Sequence, residues 1–198
     1  MTLTHAEVKL ARLDPLLGEL IHAHGTIPLR PPRNYFEALG SSIVSQQISV
    51  KAAAKIFERF REATQLLPEN ILALDEDGLR AVGLSGQKSR YIRDLAAHFV
   101  EDSAVFNHLG NLSDDEVIVE LTRVKGIGVW TAQMFLIFTL HRPDVFAPDD
   151  RGLQLAVEKL YERISTRVEL EDLAQKWSPY RSTACLHLWR SLDNKPTA

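Results

Sequence analysis

A chain of 198 residues with 45% hydrophobic and 25% charged residues has the composition of a globular protein, and it can bury a core without disulfides or a structural metal. A net charge of −3 and an isoelectric point near 6.2 exclude a protein that coats nucleic acid through a broad basic surface, while leaving room for a local positive face. The single cysteine, Cys185, excludes an intrachain disulfide and any four-cysteine zinc or iron–sulfur site, and fits a reducing compartment.

In chain order, Thr4 and Glu7 form a capping box that predicts a first helix. The stretch before Lys9 lacks a basic region followed by an apolar one, so no secretion signal is expected. A proline-rich stretch, Pro28 to Arg33, separates that helix from the rest. Ala52, Ala53, Ile56, Phe57 and Phe60 trace one helical face, and Lys51, Lys55 and Arg59 another at i, i+4, i+8. The basic triplet reads first as a solvated face. Ile92, Leu95, Ala96 and Phe99 trace a further helix. Ser113 and Glu116 predict a second capping box leading into Val117, Leu121 and Val124.

Next comes a glycine hairpin, Lys125-Gly126-Ile127-Gly128-Val129-Trp130, and then a segment to Leu140 that is apolar on almost every side and expected to be centrally buried. A loop from His141 carries Pro148-Asp149-Asp150, before a helix over Leu153 to Leu160. Ala184, Cys185, Leu188, Trp189 and Leu192 give a last helical face, ahead of a tail from Asn194 to Ala198. No strand with period 2 stands out, and no apolar run reaches the ~20 residues that span a bilayer. The expected fold class is all-α.

The hairpin has a physical use. Glycines at 126 and 128 permit torsions closed to other residues and leave no side chain to block close approach. The amides that open the following helix, backed by its dipole, suit a phosphate oxygen. A plain glycine C-cap in a tight helix–helix turn accounts for the same residues. The two carboxylates likewise read either as chemistry or as simple N-capping of the next helix.

The pattern Leu121-x-x-Val124-x-Gly126-Ile127-Gly128-x-x-Thr131-Ala132 resembles the helix–hairpin–helix motif of DNA repair glycosylases. Val145-Phe146-Ala147-Pro148-Asp149-Asp150 resembles the alkylated-base branch, the 3-methyladenine DNA glycosylase II type. So do Ser41-Ser42-Ile43-Val44-Ser45-Gln46-Gln47-Ile48-Ser49-Val50-Lys51-Ala52-Ala53 and Trp177-Ser178-Pro179-Tyr180-Arg181-Ser182. The likeness runs from about residue 36 to 190.

This resemblance implies a two-lobed helix–hairpin–helix fold with the active site in the cleft between lobes. One lobe would span 35–142, the other 1–34 with 143–198. The chain would be a minimal form, without the N-terminal sheet domain of some relatives. It implies a monofunctional DNA glycosylase of base excision repair that flips alkylated purines out of duplex DNA and hydrolyses their N-glycosidic bond. The implied substrates are 3-methyladenine, 7-methylguanine and 1,N6-ethenoadenine. By alignment Asp150 is the catalytic carboxylate, with Asp149 capping the next helix or bracing the loop. Trp130, Tyr180 and Met134 fall at base-pocket positions, Met134 where relatives can carry an aromatic. Tyr35 and Phe36 are further aromatics that could reach the cleft. Gly126, Gly128 and Thr131 fall at the DNA backbone, Gln47 at the wedge position with Ile48 next, and Gln47 reads equally as an amide that stabilises its own turn.

Bifunctional members place a lysine two residues after the second hairpin glycine. This chain has Trp130 there, and Lys125 lies on the wrong side of the hairpin, so no lyase step is implied. The carbonyls of Thr122, Val124 and Ile127 match those that hold a monovalent cation in relatives. No other cofactor and no iron–sulfur cluster is implied. The implied partner is duplex DNA with alkylated bases, met by a monomer, in the cytoplasm of a bacterium or the nucleus of a eukaryote, without a membrane. Two alternatives stay open: a noncatalytic helix–hairpin–helix DNA-binding module, and a glycosylase for a different lesion.

Overall fold

The computed structural model describes residues 3–31, 34–162 and 166–193. Pro32 and Arg33 of the proline-rich stretch and the tail from Asn194 lie outside them. The helices in chain order are α1 (His5–Leu13), α2 (Pro15–His24), α3 (Tyr35–Ser45), α4 (Val50–Thr64), α5 (Pro68–Ala73), α6 (Glu76–Ala81), α7 (Gly86–Glu101), α8 (Ser103–Phe106), α9 (Asp114–Thr122), α10 (Val129–Phe138), α11 (Arg151–Tyr161), α12 (Arg167–Gln175) and α13 (Arg181–Asp193). No strand occurs among the described residues, as the absence of period-2 patterning predicts. Among them no helix is long and apolar enough to cross a membrane.

Local chemistry explains where the helices start. Both predicted capping boxes form: the Thr4 side chain meets the Glu7 amide while the Glu7 carboxylate returns to the Thr4 amide, and Ser113 and Glu116 do the same. A third box, Thr166 with Glu169, opens α12. Asp14 caps α2 through the Leu17 amide, and Pro15 fits the first helical position because its missing N–H would have had no helical partner.

The chain forms two compact units, Met1–Arg30 with Leu136–Ala198, and Pro31–Phe135. Both joints come earlier than the 34/35 and 142/143 boundaries expected from sequence, and the second falls inside α10. The reason is local. Beyond Leu136 the chain bonds within the first unit: the Arg142 amide donates to the Leu136 carbonyl at 2.9 Å, and the Phe138 ring meets Trp189 at 5.5 Å.

In the first unit, α2, α11 and α13 pack together with α1, and Leu10, Leu17, Ile21, Leu153, Val157 and Leu188 are buried. Three acidic residues, Glu7, Asp14 and Asp150, are also buried here, and each has partners, as burial of a charge requires. Asp14 accepts from Tyr161 Oη at 2.6 Å and Trp177 Nε1 at 2.9 Å. Glu7 accepts from Thr4, Thr26, the Ile27 amide and His187 Nε2. In the second unit, α7 packs on α3, α5, α6 and α8. Its predicted face of Ile92, Leu95, Ala96 and Phe99 is buried, with Phe99 edge-on to Phe36 at 5.2 Å.

Candidate functional site

The second unit carries the hairpin. After α9 the chain tightens, with the Val124 amide donating to the Leu121 carbonyl and the Ile127 amide to the Val124 carbonyl. Gly126 lies at φ 86, and a Cβ there would come within 2.2 Å of the Tyr91 ring. No L-residue fits at that point. Gly128 differs: it is outside the left-handed region, and a Cβ there would meet nothing within 4 Å. The expectation that both glycines serve backbone torsion is therefore corrected. Gly126 is needed by the fold, whereas Gly128 leaves the face in front of α10 bare.

Helix α10 opens with Val129, Trp130 and Thr131 directly after the hairpin, so its N-terminal turn and the positive end of its dipole follow Gly128. Thr131, expected at the DNA backbone, is a buried residue at 6% exposure. Lys125 is tied down as well. Its amide donates to Asp94 at 2.8 Å, and its ammonium sits 3.0 Å from the same carboxylate. Burial of Asp94 works against ionisation, but these Lys125 contacts outweigh it and hold its pKa below the ordinary value.

Helix α10 departs from the expected burial on every side. Ala132, Phe135, Leu136 and Ile137 are buried, but Trp130 is 45% exposed and Phe138 44%. A core role for Trp130 is thereby excluded. Met134, one turn on, is half-buried. Tyr35 packs edge-on against Phe135 at 5.5 Å, and Phe36 is a core residue.

Gln46 to Ser49 form the turn between α3 and α4. Gln47 is exposed and adopts φ 56, a left-handed conformation that a residue with a side chain rarely takes. Ile48 beside it is 37% exposed. The bond from a turn side-chain amide that sequence reading allowed for Gln47 is made by its neighbour: Gln46 Nε2 donates to the Gly126 carbonyl at 2.8 Å. Lys51, Lys55 and Arg59 are exposed along α4.

The first unit carries the carboxylates. Asp150, not Asp149, is the N-cap of α11: Oδ1 accepts from the Leu153 amide at 2.8 Å. The helix begins at Arg151, so only position 150 stands three residues before that amide. Asp149 turns outward to an ion pair with Arg167. The same Oδ1 of Asp150 accepts from Trp189 Nε1 at 2.8 Å, and the carboxylate is only 9% exposed. The cap is therefore made by Asp150, and it fixes how this carboxylate is oriented.

The loop that delivers Asp150 is clamped from α13. Arg181 forms a fork to Asp144, with Nε at 2.8 Å and Nη2 at 3.0 Å, and Ser178 Oγ donates to the same carboxylate. Ser182 Oγ donates to the Arg142 carbonyl and accepts from the Val145 amide. Fork geometry of this kind is rigid as well as strong. Burial of Asp144 raises its pKa, and the Arg181 and Ser178 bonds more than reverse that.

Tyr180, expected at the base pocket, packs edge-on against His5 at 6.0 Å. Trp189 is bonded to the carboxylate, and the Phe138 ring lies tilted against it at 5.5 Å. Sequence reading assigned Trp189 to a core face of α13 and passed over its indole N–H. A tryptophan at the edge of such a face, with a polar end in need of a partner, was the available signal.

Among the described residues no three His, Cys, Asp or Glu side chains are grouped to hold a metal. Cys185 is buried, and burial pushes its thiol well above the usual range. The carbonyls expected to hold a monovalent cation lie at and just beyond the end of α9. Thr122 ends α9, so its carbonyl is among the last four without a helical partner, at the negative end of the dipole. The Val124 carbonyl already accepts from the Ile127 amide at 3.1 Å.

The sequence matches the family described as HhH-GPD superfamily base excision DNA repair protein over residues 41–179. DNA-3-methyladenine glycosylase 1 of Schizosaccharomyces pombe is 32% identical over 202 residues, covering 96% of this chain and 88% of the relative. The solved structure of the Schizosaccharomyces pombe 3-methyladenine DNA glycosylase Mag1 in complex with abasic DNA matches with a TM-score of 0.84 at 30% identity, over 98% of this chain and all of that one. A DNA-3-methyladenine glycosidase from Bacillus halodurans also matches with a TM-score of 0.84, at 37% identity, over 93% of this chain and 88% of its own.

Proposed function

This chain belongs to the HhH-GPD superfamily of base excision DNA repair proteins, and from that premise we propose that it is a monofunctional DNA glycosylase for alkylated purines in duplex DNA. 3-methyladenine, 7-methylguanine and 1,N6-ethenoadenine are the substrates in view. The observation that carries the reading is Asp150: a nearly buried carboxylate, fixed through one oxygen by a helix amide and an indole N–H, at the position of the family's aspartate.

The lesion leaves the base stack before chemistry. Gln47, exposed on a strained turn, enters the gap from the minor groove, with Ile48 beside it. A phosphate is taken by the first-turn amides of α10, approached over the bare Gly128. The carbonyls of Thr122, Val124 and Ile127 would hold a monovalent cation that adds positive charge beside that phosphate. Trp130 offers an exposed ring to a methylated purine, whose positive charge an aromatic face attracts. Met134 follows one turn later.

At the sugar, the bond from C1′ to the base nitrogen breaks and its electron pair leaves with the base. A cationic base departs neutral and needs little protonation. The sugar passes through an oxocarbenium-like state, which the Asp150 carboxylate stabilises while orienting water for addition at C1′. No lysine stands two residues beyond Gly128, so no Schiff base forms and the product is an intact strand with an abasic site. The enzyme works as a monomer where chromosomal DNA is kept, in bacterial cytoplasm or a eukaryotic nucleus.

Incubation with duplexes carrying each of the three bases tests this directly, with free base measured before alkali and strand scission scored separately. Release of the base without scission is expected from the wild type, and none at a comparable rate from Asp150→Asn. Full-rate release by that variant would overturn the assignment of Asp150, and scission without alkali would overturn the monofunctional reading. DNA binding with no base released would favour a noncatalytic module.

A further inference from the structure

The strained turn at Gln47 is held from one side. Helix α3 ends without a glycine cap, and its carbonyls at Val44 and Gln46 are met instead by the Lys88 ammonium, at 2.6 and 2.8 Å. Burial lowers the pKa of this lysine. With two of its three donors on backbone oxygens, Lys88 is engaged within the protein and is not an open phosphate ligand. Lys88 lies near the start of α7. One turn further, the Tyr91 ring lies under Gly126, close enough to forbid a Cβ there. One turn further again, Asp94 takes the amide and ammonium of Lys125. Residues 88, 91 and 94 follow the three-residue spacing of neighbours on a helix surface. One face of α7 therefore supports both the Gln47 turn and the hairpin, and Gln46 Nε2 closes the arrangement on the Gly126 carbonyl. A surface cavity of about 240 Å³, lined in part by Gln47, Ile48, Lys88 and Tyr91, opens beside it.

We propose that Lys88 is a positioning residue for base displacement: its ammonium, bonded to the Val44 and Gln46 carbonyls, holds the Gln47 turn in the form that inserts into DNA, and α7 fixes that turn against the phosphate-binding hairpin. This rests on the reading of Gln47 as the wedge.

The test uses Lys88→Met, which keeps the aliphatic stem, and Lys88→Arg, which keeps donors. Insertion is read without chemistry, by the fluorescence of 2-aminopurine next to a tetrahydrofuran abasic analogue in a duplex at saturating protein. Base release is read under single turnover on a 7-methylguanine duplex. Lys88→Met should lose most of the fluorescence change and slow release about 10-fold, the effect of removing a charged hydrogen-bond donor. Lys88→Arg should restore both. In a Gln47→Ala background Lys88→Met should add less than about twofold, because the two residues act at one step.

An undiminished fluorescence change in Lys88→Met, or the same loss with and without Gln47, would overturn the proposal. So would a wild type that gives no fluorescence change. If Lys88→Met does not fold, as judged by circular dichroism, Gln46→Met enters the same cycle, with the same pattern expected and the same results decisive. A wild type that inserts but releases no base would sink the glycosylase reading and leave this one standing. Release by the wild type at a rate that Lys88→Met matches would do the reverse.

Discussion

The hairpin of the second unit and the aspartate loop of the first solve the same problem by different means. Each must hold a short irregular segment in one shape. The hairpin does so largely with backbone: tight turn bonds, a glycine at φ 86 and a ring filling the space a Cβ would take. The aspartate loop does so with side chains from a helix thirty or more residues away, through the Arg181 fork, Ser182 and Trp189. Backbone-held segments tolerate little change at one or two positions. Side-chain-held segments spread the load, and single losses there cost less.

The largest effect is expected where geometry and chemistry coincide. Asp150→Asn should lower single-turnover base release by about 10²- to 10³-fold or more, in the range for loss of a transition-state electrostatic partner. Asp149→Asn, which breaks only an exposed pair with Arg167, should change it by less than about threefold. A comparable loss in both would mean that the loop, not the carboxylate, is what matters.

The hairpin is broken most sharply at its glycines. Gly126→Ala should destabilise the protein by roughly 2–5 kcal/mol, combining a forbidden torsion with a collision against Tyr91, read by urea unfolding. Gly128→Leu should leave stability within about 0.5 kcal/mol, as for other surface substitutions. It should nevertheless weaken DNA affinity by about tenfold, the loss of one charged hydrogen bond. Equal effects at the two positions would erase the distinction drawn between them.

The aspartate loop is probed more gently by Trp189→Phe, which keeps a ring against Phe138 and removes the N–H to Asp150. A loss of about 1–3 kcal/mol in unfolding free energy is expected from one buried charged hydrogen bond. In the Asp150→Asn background the loss should shrink. An unchanged midpoint in the wild-type background would show that the indole contributes packing alone.

The smallest effect is the pH response of the first unit. His24 and His187 stack at 5.6 Å, His187 reaches Glu7, and Arg190 adds positive charge near His24. Burial lowers the pKa of both histidines, for His187 despite the Glu7 contact. Their folded pKa values lie below the ordinary 6.5, so as pH falls through 6.5 the unfolded chain takes up protons first and stability drops. For Glu7 burial opposes ionisation, but its hydrogen bonds outweigh it and hold the pKa below 4.5, so acid below that value destabilises further. The melting temperature should fall between pH 7.5 and 5.5, with unfolding free energy lost by no more than about 1.4 kcal/mol per pH unit for each proton taken up. A midpoint flat across that range would contradict it.

Much of this was readable from residues. Capping boxes, helical faces and the hairpin are local patterns, and local patterns survive in a linear string. The motif also set two carboxylates just ahead of α11, but whether 149 or 150 caps that helix depends on where it begins. The Trp189 contact was missed for a different reason. Trp189 sits on α13 and Tyr180 just before it, and which ring of this region reaches Asp150 is set by how α13 packs in the first unit.

The sequence by itself determined an all-helical chain, a tight glycine turn ahead of an apolar helix and a carboxylate just before another helix, since each needs only near neighbours. Only the tertiary structure decided that Gly126 and Gly128 stand in different surroundings, that Trp189 bonds Asp150 and that Lys88 meets the Val44 and Gln46 carbonyls. Those contacts join residues 39 or more positions apart, or turn on what occupies the space beside a backbone atom, and no spacing along the chain records either.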